Sequence, residues 1–168
     1  MEIFFDDEIN KIKKNLKVFL TLHTDVSFSK PEVFLNLLGD SNVHLVKWAK
    51  MIMEHLDFSS FDCKEVEIVK ISVGELGFQH NANLKEIYVQ AKKVGLEVCS
   101  SSIIPCLCLS GAFKTNDMAY VTISPVNNEY YLLGIWSEKH NIYVYGHQGS
   151  GVWDIHTTLI FQKIKTPA

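Results

Sequence analysis

Cys99, Cys106 and Cys108 form a C-x6-C-x-C pattern, and thiolates both ligate metals and attack carbonyl groups. On a strand, Cys106 and Cys108 would share one face and converge on a common atom, which makes them the candidate metal ligands. Zinc sites normally set cysteines about two to four residues apart and complete the set with a matching pair. The chain has no such C-x2-C partner, so no metal is assigned, and a small buried hydrophobe is the ordinary role for these thiols. Cys99 is the candidate nucleophile, because the amides of Ser100-Ser101-Ser102 would form an oxyanion nest if the chain turned there. A nucleophilic cysteine also needs a nearby base, for which His140, His147 and His156 are the candidates among seven histidines.

The C-terminal part carries a second set of candidates. Asp154 and His156 would project to one side of an extended segment, and His147 lies in Gly146-His147-Gln148-Gly149-Ser150-Gly151. This stretch reads as a loop on a ligand-binding rim. It is not a dinucleotide fingerprint, since it lacks the G-x-G-x-x-G spacing and runs on into a strand. Tyr120, Tyr130, Tyr131, Trp136, Tyr143, Tyr145 and Trp153 crowd the same third of the chain. Tyr143 and Tyr145, two residues apart on a strand, would share a side and form a platform for a peptide, sugar or base. With His147 and Trp153 they are the candidate ligand-binding residues; packing within half-buried strands is the competing explanation. Glu65 and Glu67 alternate on a strand without a paired-carboxylate signature.

Hydrophobic periodicity predicts the elements that must hold these groups. Ile3, Ile9, Ile12, Leu16, Phe19 and Leu20 recur at helical spacing, with Lys11, Lys13, Lys14 and Lys17 elsewhere. Ser29-Lys30-Pro31-Glu32 begins a second helix that Gly39 closes, and Asp40 or Ser41 caps a third through Val43, Val46, Ala49, Ile52, Met53 and Leu56. Residues 1–57 are thus expected to be a three-helix unit. Residues 65–73 read as a strand, and Asn83 with Glu86 forms a capping box for a helix over 83–94 that stops at Gly95. Strands are expected over 96–99, 106–109, 118–125, 130–137, 141–146 and 157–163. The predicted fold is α+β, one domain, with N-terminal helices packed on a C-terminal, mainly antiparallel sheet.

Composition narrows the classes of function. The chain has 168 residues, 47% apolar and 21% charged, a length that suits one self-sufficient domain. Sixteen basic against nineteen acidic side chains leave a net charge of −3, which argues against a nucleic-acid partner or a polybasic membrane anchor. Apolar runs of about seven residues fall far short of the roughly twenty that span a bilayer. The acidic start at Glu2, Asp6, Asp7 and Glu8 does not resemble a secretory signal, and four cysteines are too few for a disulfide framework, so a cytoplasmic setting is expected.

From Leu76-Gly77-Phe78 onward the chain resembles a small family of uncharacterised bacterial proteins, some of which carry a helicase label. The shared landmarks are Gly95-Leu96-Glu97-Val98-Cys99, Pro105 with Leu107 and Leu109, Gly151-Val152-Trp153, and Ile160-Phe161, over roughly residues 65–164. In that family a proline follows the cysteine and an arginine lies between the two leucines, where this chain has Ser100 and Cys108. The resemblance implies a fold and leaves the activity open. A helicase is excluded by the missing G-x-x-x-x-G-K-[ST] phosphate loop. The leading expectation is a non-enzymatic interaction module, accessory or regulatory, that binds a protein or small ligand and needs no cofactor. The alternative is a thiol-dependent hydrolase or transferase using Cys99 with a C-terminal histidine. The oligomeric state stays open.

Overall fold

The computed structural model describes residues 2–24, 31–57 and 65–165. Helix α1 (Asp6–Asn15) has the expected amphipathic spacing: Ile9 and Ile12 pack inward while Lys11, Lys13 and Lys14 stay exposed. Helical spacing does not carry the helix through Phe19 and Leu20. Leu16 has ψ 123°, and the chain continues as strand β1 (Val18–His23), in which Leu22 is buried between exposed Thr21 and His23. Six residues rich in β-branched and aromatic types satisfy period two as well as period 3.6, and pairing with strand β3 (Glu65–Ser72) decides between them.

Helix α2 (Pro31–Gly39) opens on its proline and closes on its glycine, as expected; the Ser29-Lys30 cap lies outside the described residues. The third predicted helix splits into strand β2 (Val43–Leu45) and helix α3 (Lys47–Glu54). Val43, Val46 and Ala49 fit a helix, but β2 finds a parallel partner nearly one hundred residues away in β7 (Asn141–Gln148). Residues 1–57 are therefore not a three-helix unit. They supply both edge strands of the sheet.

Helix α4 (Leu84–Lys93) is capped as the sequence suggests: Glu86 N donates to Asn83 Oδ1 at 3.0 Å and Asn83 N to Glu86 Oε2 at 3.2 Å. Gly95 follows with φ +89°, the left-handed conformation that ends a helix. After strand β4 (Leu96–Glu97), the predicted strand at 106–109 is instead part of helix α5 (Ile103–Leu109). Apolar residues surround this helix, so no alternation marks it, and Pro105 sits in its first turn, where the missing N–H has no bond to lose. Strands β5 (Met118–Thr122), β6 (Tyr131–Glu138), β7 and β8 (Thr158–Lys163) fall close to their expected places.

The eight strands of the described residues join one sheet in the order β1-β3-β8-β5-β6-β7-β2, with β4 also on β8. The pairs β5·β8 and β2·β7 are parallel, so the sheet is mixed and not mainly antiparallel. Nor are the helices confined to the N-terminus. One face, with Ile68, Ile160, Val121, Leu133, Ile135 and Val144, packs against α2, α3 and α5; the other, with Val69, Ile71, Leu159, Phe161 and Leu132, packs against α1 and α4. The α+β class holds, with helices on both sides of a single sheet. Among the described residues, no helix is long and apolar enough to cross a membrane.

Candidate functional site

On the second face, α1 and α4 gather over β3, β8 and the start of β6, and the side chains of β5, β6, β7 and β2 beyond them are left partly open. Trp136, Tyr143 and Tyr145 belong to neither core cluster and are all half-buried. The register sets them in rows. Met118 on β5, Trp136 on β6, Tyr143 on β7 and His44 on β2 are successive partners across the sheet, and the next row runs Tyr120, Gly134, Tyr145. Alternation therefore puts Tyr143, Tyr145 and His147 on one side, as the sequence suggests.

The rings make two linked groups. Tyr143 lies between His44, at 5.1 Å and 25°, and Trp136, at 5.5 Å and 32°, so the three overlap like shingles. His44 Nε2 donates to Asn141 Oδ1 at 3.0 Å, which fixes the end of that row. In the second group Trp153 meets Tyr120 edge-on at 5.2 Å, Tyr120 meets His147 at 5.0 Å and His147 meets Tyr145 at 6.5 Å. Gly134 gives them room beneath: a Cβ there would stand 3.1 Å from His147 Nε2 and 3.4 Å from Tyr120 Cε1, so the half-buried His147 ring would have to give by a few tenths of an ångström. Such edge-to-face pairs are each worth about 0.5–1.5 kcal/mol beyond the area they bury, so the face is largely preformed.

The polar tips of these rings differ in their partners. The hydroxyls of Tyr88 and Tyr131 are satisfied by Ile123 O and Glu129 Oε2, whereas those of Tyr120, Tyr143 and Tyr145 have no protein partner among the described residues. Trp153 Nε1 is enclosed at the edge of the group with no partner among the described residues. Burial raises the Tyr120 hydroxyl pKa and lowers that of His147, which favours a neutral imidazole against the rings. A histidine pKa below its unfolded value destabilises on acidification, because the unfolded chain takes up the proton first. Urea midpoints should therefore fall as pH drops below about 6.5, the unfolded histidine value. His147→Gln should flatten part of that fall; an unchanged slope would show that His147 titrates normally.

The thiol candidates are separated from the histidines. Cys99 is 3% exposed in the core of the opposite face, and its thiol faces Ile160 O at 3.6 Å. Burial pushes its pKa up to about 12, so the thiolate that a nucleophile needs is disfavoured near neutral pH. His147 lies across the sheet from it. His140 is in the β6–β7 turn and His156 in the turn before β8, both exposed and at the other end of the strands. The histidine that shares a cavity with Cys99, of about 490 Å³, is His55, whose Nδ1 is held by Met51 O at 2.7 Å. Cys106 and Cys108 do not share a strand face. On α5 they diverge, Cys108 into the core with a pKa pushed up to about 12 by burial and Cys106 toward β1, and no group of three or more metal-ligating side chains occurs among the described residues. Cys63 lies outside the described residues. In alkylation of the native protein at pH 7, mass mapping should find Cys99 and Cys108 unlabelled until denaturant is added; rapid labelling of Cys99 would restore the nucleophile.

The expected glycine loop is also redrawn. Gly146 and His147 belong to β7, and the loop runs over 149–157. Asp154 and His156 do not project as a pair: His156 N donates to Asp154 Oδ1 at 2.8 Å in a tight turn. Trp153 bridges to Ala82 and packs on Tyr120, so it borders the open face from the side. Four contributors lay outside the expected ligand-binding set: Tyr120 and Trp136, which the sequence placed only among the crowded aromatics, and His44 and Gly134. Trp136 was legible from the short β6–β7 turn that sets it opposite Tyr143, whereas His44 and the role of Gly134 depend on long-range pairing and ring packing.

Compared with protein-family models, curated proteins and solved structures, the chain matches none. The landmarks of the resemblance over 65–164 fall mainly on buried positions such as Leu76, Leu96, Leu107 and Phe161 and on positive-φ glycines 77, 95 and 151.

Proposed function

We propose that this chain is a non-enzymatic binding module that recognises a protein or small ligand through the open aromatic half of its sheet. The observation that carries the reading is a preformed surface of Trp136, Tyr143, Tyr145 and His44 whose hydroxyls lack protein partners and whose rings join neither helix-covered core among the described residues. Tyrosine and tryptophan supply large, rigid contact area at small entropic cost, which is why they dominate binding hot spots. Neither nucleic acid nor a membrane is the partner in this reading. These strands turn no lysine toward the open side, and Glu138 is their one carboxylate there. A reducing cytoplasmic setting and kinship with the bacterial family belong to the same proposal; the first suits thiols at Cys99, Cys106 and Cys108.

Replacing Trp136 and Tyr143 together by alanine should weaken partner binding at least about 30-fold, the loss expected of a hot-spot pair. Quantitative capture from cell extract, read beside a thermal melt of the same variant, checks it. A variant that stays folded and recovers the same partners in the same amounts would remove the recognition role.

A further inference from the structure

A cavity between helix α4 and the segment that precedes α1 is separate from the aromatic half of the sheet. It encloses about 280 Å³, and its apolar wall is made by Phe4, Phe78 and Val89. Gln90 also lines it and is 2% exposed. The Gln90 Nε2 donates to Leu76 O at 3.0 Å, which settles how the amide is turned. Its Oε1 is left buried with no donor among the described residues. A buried acceptor without a partner is costly, so a donor brought from outside gains more here than at a solvated carbonyl. We infer that this cavity binds a neutral, planar aromatic molecule of one or two rings whose N–H or O–H donates to Gln90 Oε1.

Size, wall and charge agree with that occupant. An apolar cavity of about 150 Å³ holds benzene, so 280 Å³ suits a bicyclic ring. The Phe4 and Phe78 rings already meet edge-on at 5.1 Å and 79°, an arrangement that a third ring extends. The carboxylates on the wall, Glu2 and Glu86, each accept a backbone N–H, from Gln79 and Asn83, and Lys85 and Lys93 stand exposed beside them. A cationic donor would thus find no free counter-charge. The side of the cavity that gives way to admit the donor is Phe4. Its ring rests on Gly77, where a Cβ would stand 2.7 Å from Phe4 Cε1, but its backbone precedes α1 and is tethered through Glu2, which accepts from Gln79 N at 3.1 Å.

The test titrates the full chain with indole and with benzofuran, which has nearly the same shape and no donor, and follows amide chemical shifts. Indole should saturate, with shifts gathered at 2–4, 76–79 and 85–93, and bind at least about 5-fold more tightly than benzofuran. Gln90→Leu should bind the two equally. Val89→Trp, on the exposed side of α4, should crowd the mouth and abolish saturation while melting as the unaltered chain does. Should Gln90→Leu fail to fold, the benzofuran comparison and Val89→Trp still decide. Absence of saturation up to millimolar indole would mean that water alone meets Oε1 and would overturn the inference. Equal affinity for benzofuran in the unaltered chain, or shifts confined to the Trp136 and Tyr143 rows, would overturn it too.

Discussion

Phe161→Ala should cost about 3–5 kcal/mol, the range found when a fully buried phenylalanine is emptied from a core. Phe161 is completely buried on β8, opposite Val69 of β3. The Tyr88 ring meets it edge-on at 6.1 Å from α4. Neighbouring Ile160 turns to the other core, so β8 is the strand on which both helical layers lean. The cavity left by Phe161 opens under α4, a helix pinned by its own capping box and by Gln90 Nε2 donating to Leu76 O at 3.0 Å. Such a helix has little freedom to collapse inward, which places the cost toward the upper end. Against the roughly 5–15 kcal/mol that holds a domain together, the loss is a third or more. Urea unfolding should show a much lower midpoint with an unchanged slope; a loss below about 1 kcal/mol would mean that the two layers do not meet on β8.

Elements whose signals are local were legible. Asn83, Glu86 and Gly95 mark both ends of α4, and Pro31 and Gly39 bracket α2, because caps and stops act through hydrogen bonds and backbone conformations a few residues long. The hairpin of β6 and β7 could be read from alternation. Errors fell where local pattern is ambiguous and a distant partner decides. Val18–His23 and Val43–Leu45 each fit a helical period, and each became a strand because an open sheet edge waits for it. At Ile103–Leu109 a uniformly apolar run has no period to read, and a buried helix and a buried strand look alike.

The site divides in the same way. That Tyr143, Tyr145 and His147 share a side follows from period two alone. That this side is open does not, because exposure depends on where α1 and α4 stop, and no residue of β7 encodes their reach. Cys99 misled for a related reason. A thiol before three serines looks reactive in one dimension, while burial against Ile160 O decides its chemistry in three.

Gly146→Val should destabilise by about 3 kcal/mol and disorder the aromatic rows together with the fold. Gly146 is on β7 with its side-chain position turned to the first face, where a Cβ would stand 2.7 Å from Ile52 Cδ1, 2.8 Å from the backbone carbon of Trp48 and 3.0 Å from Ala49 N. The isoleucine methyl can rotate away. Backbone atoms of α3 cannot, so either the helix or the strand must move, and overpacking of this kind costs about 1–3 kcal/mol or more. Tyr145 and His147 flank Gly146 on the same strand and point to the other face, so lifting β7 off α3 displaces them from Tyr120 and shifts Tyr143 against Trp136. Near-ultraviolet circular dichroism of the variant, measured below its melting temperature, should lose much of the aromatic signal along with the fall in urea midpoint. Retention of both would show that α3 does not press on β7, and the rigidity of the open face would then have to come from the rings alone.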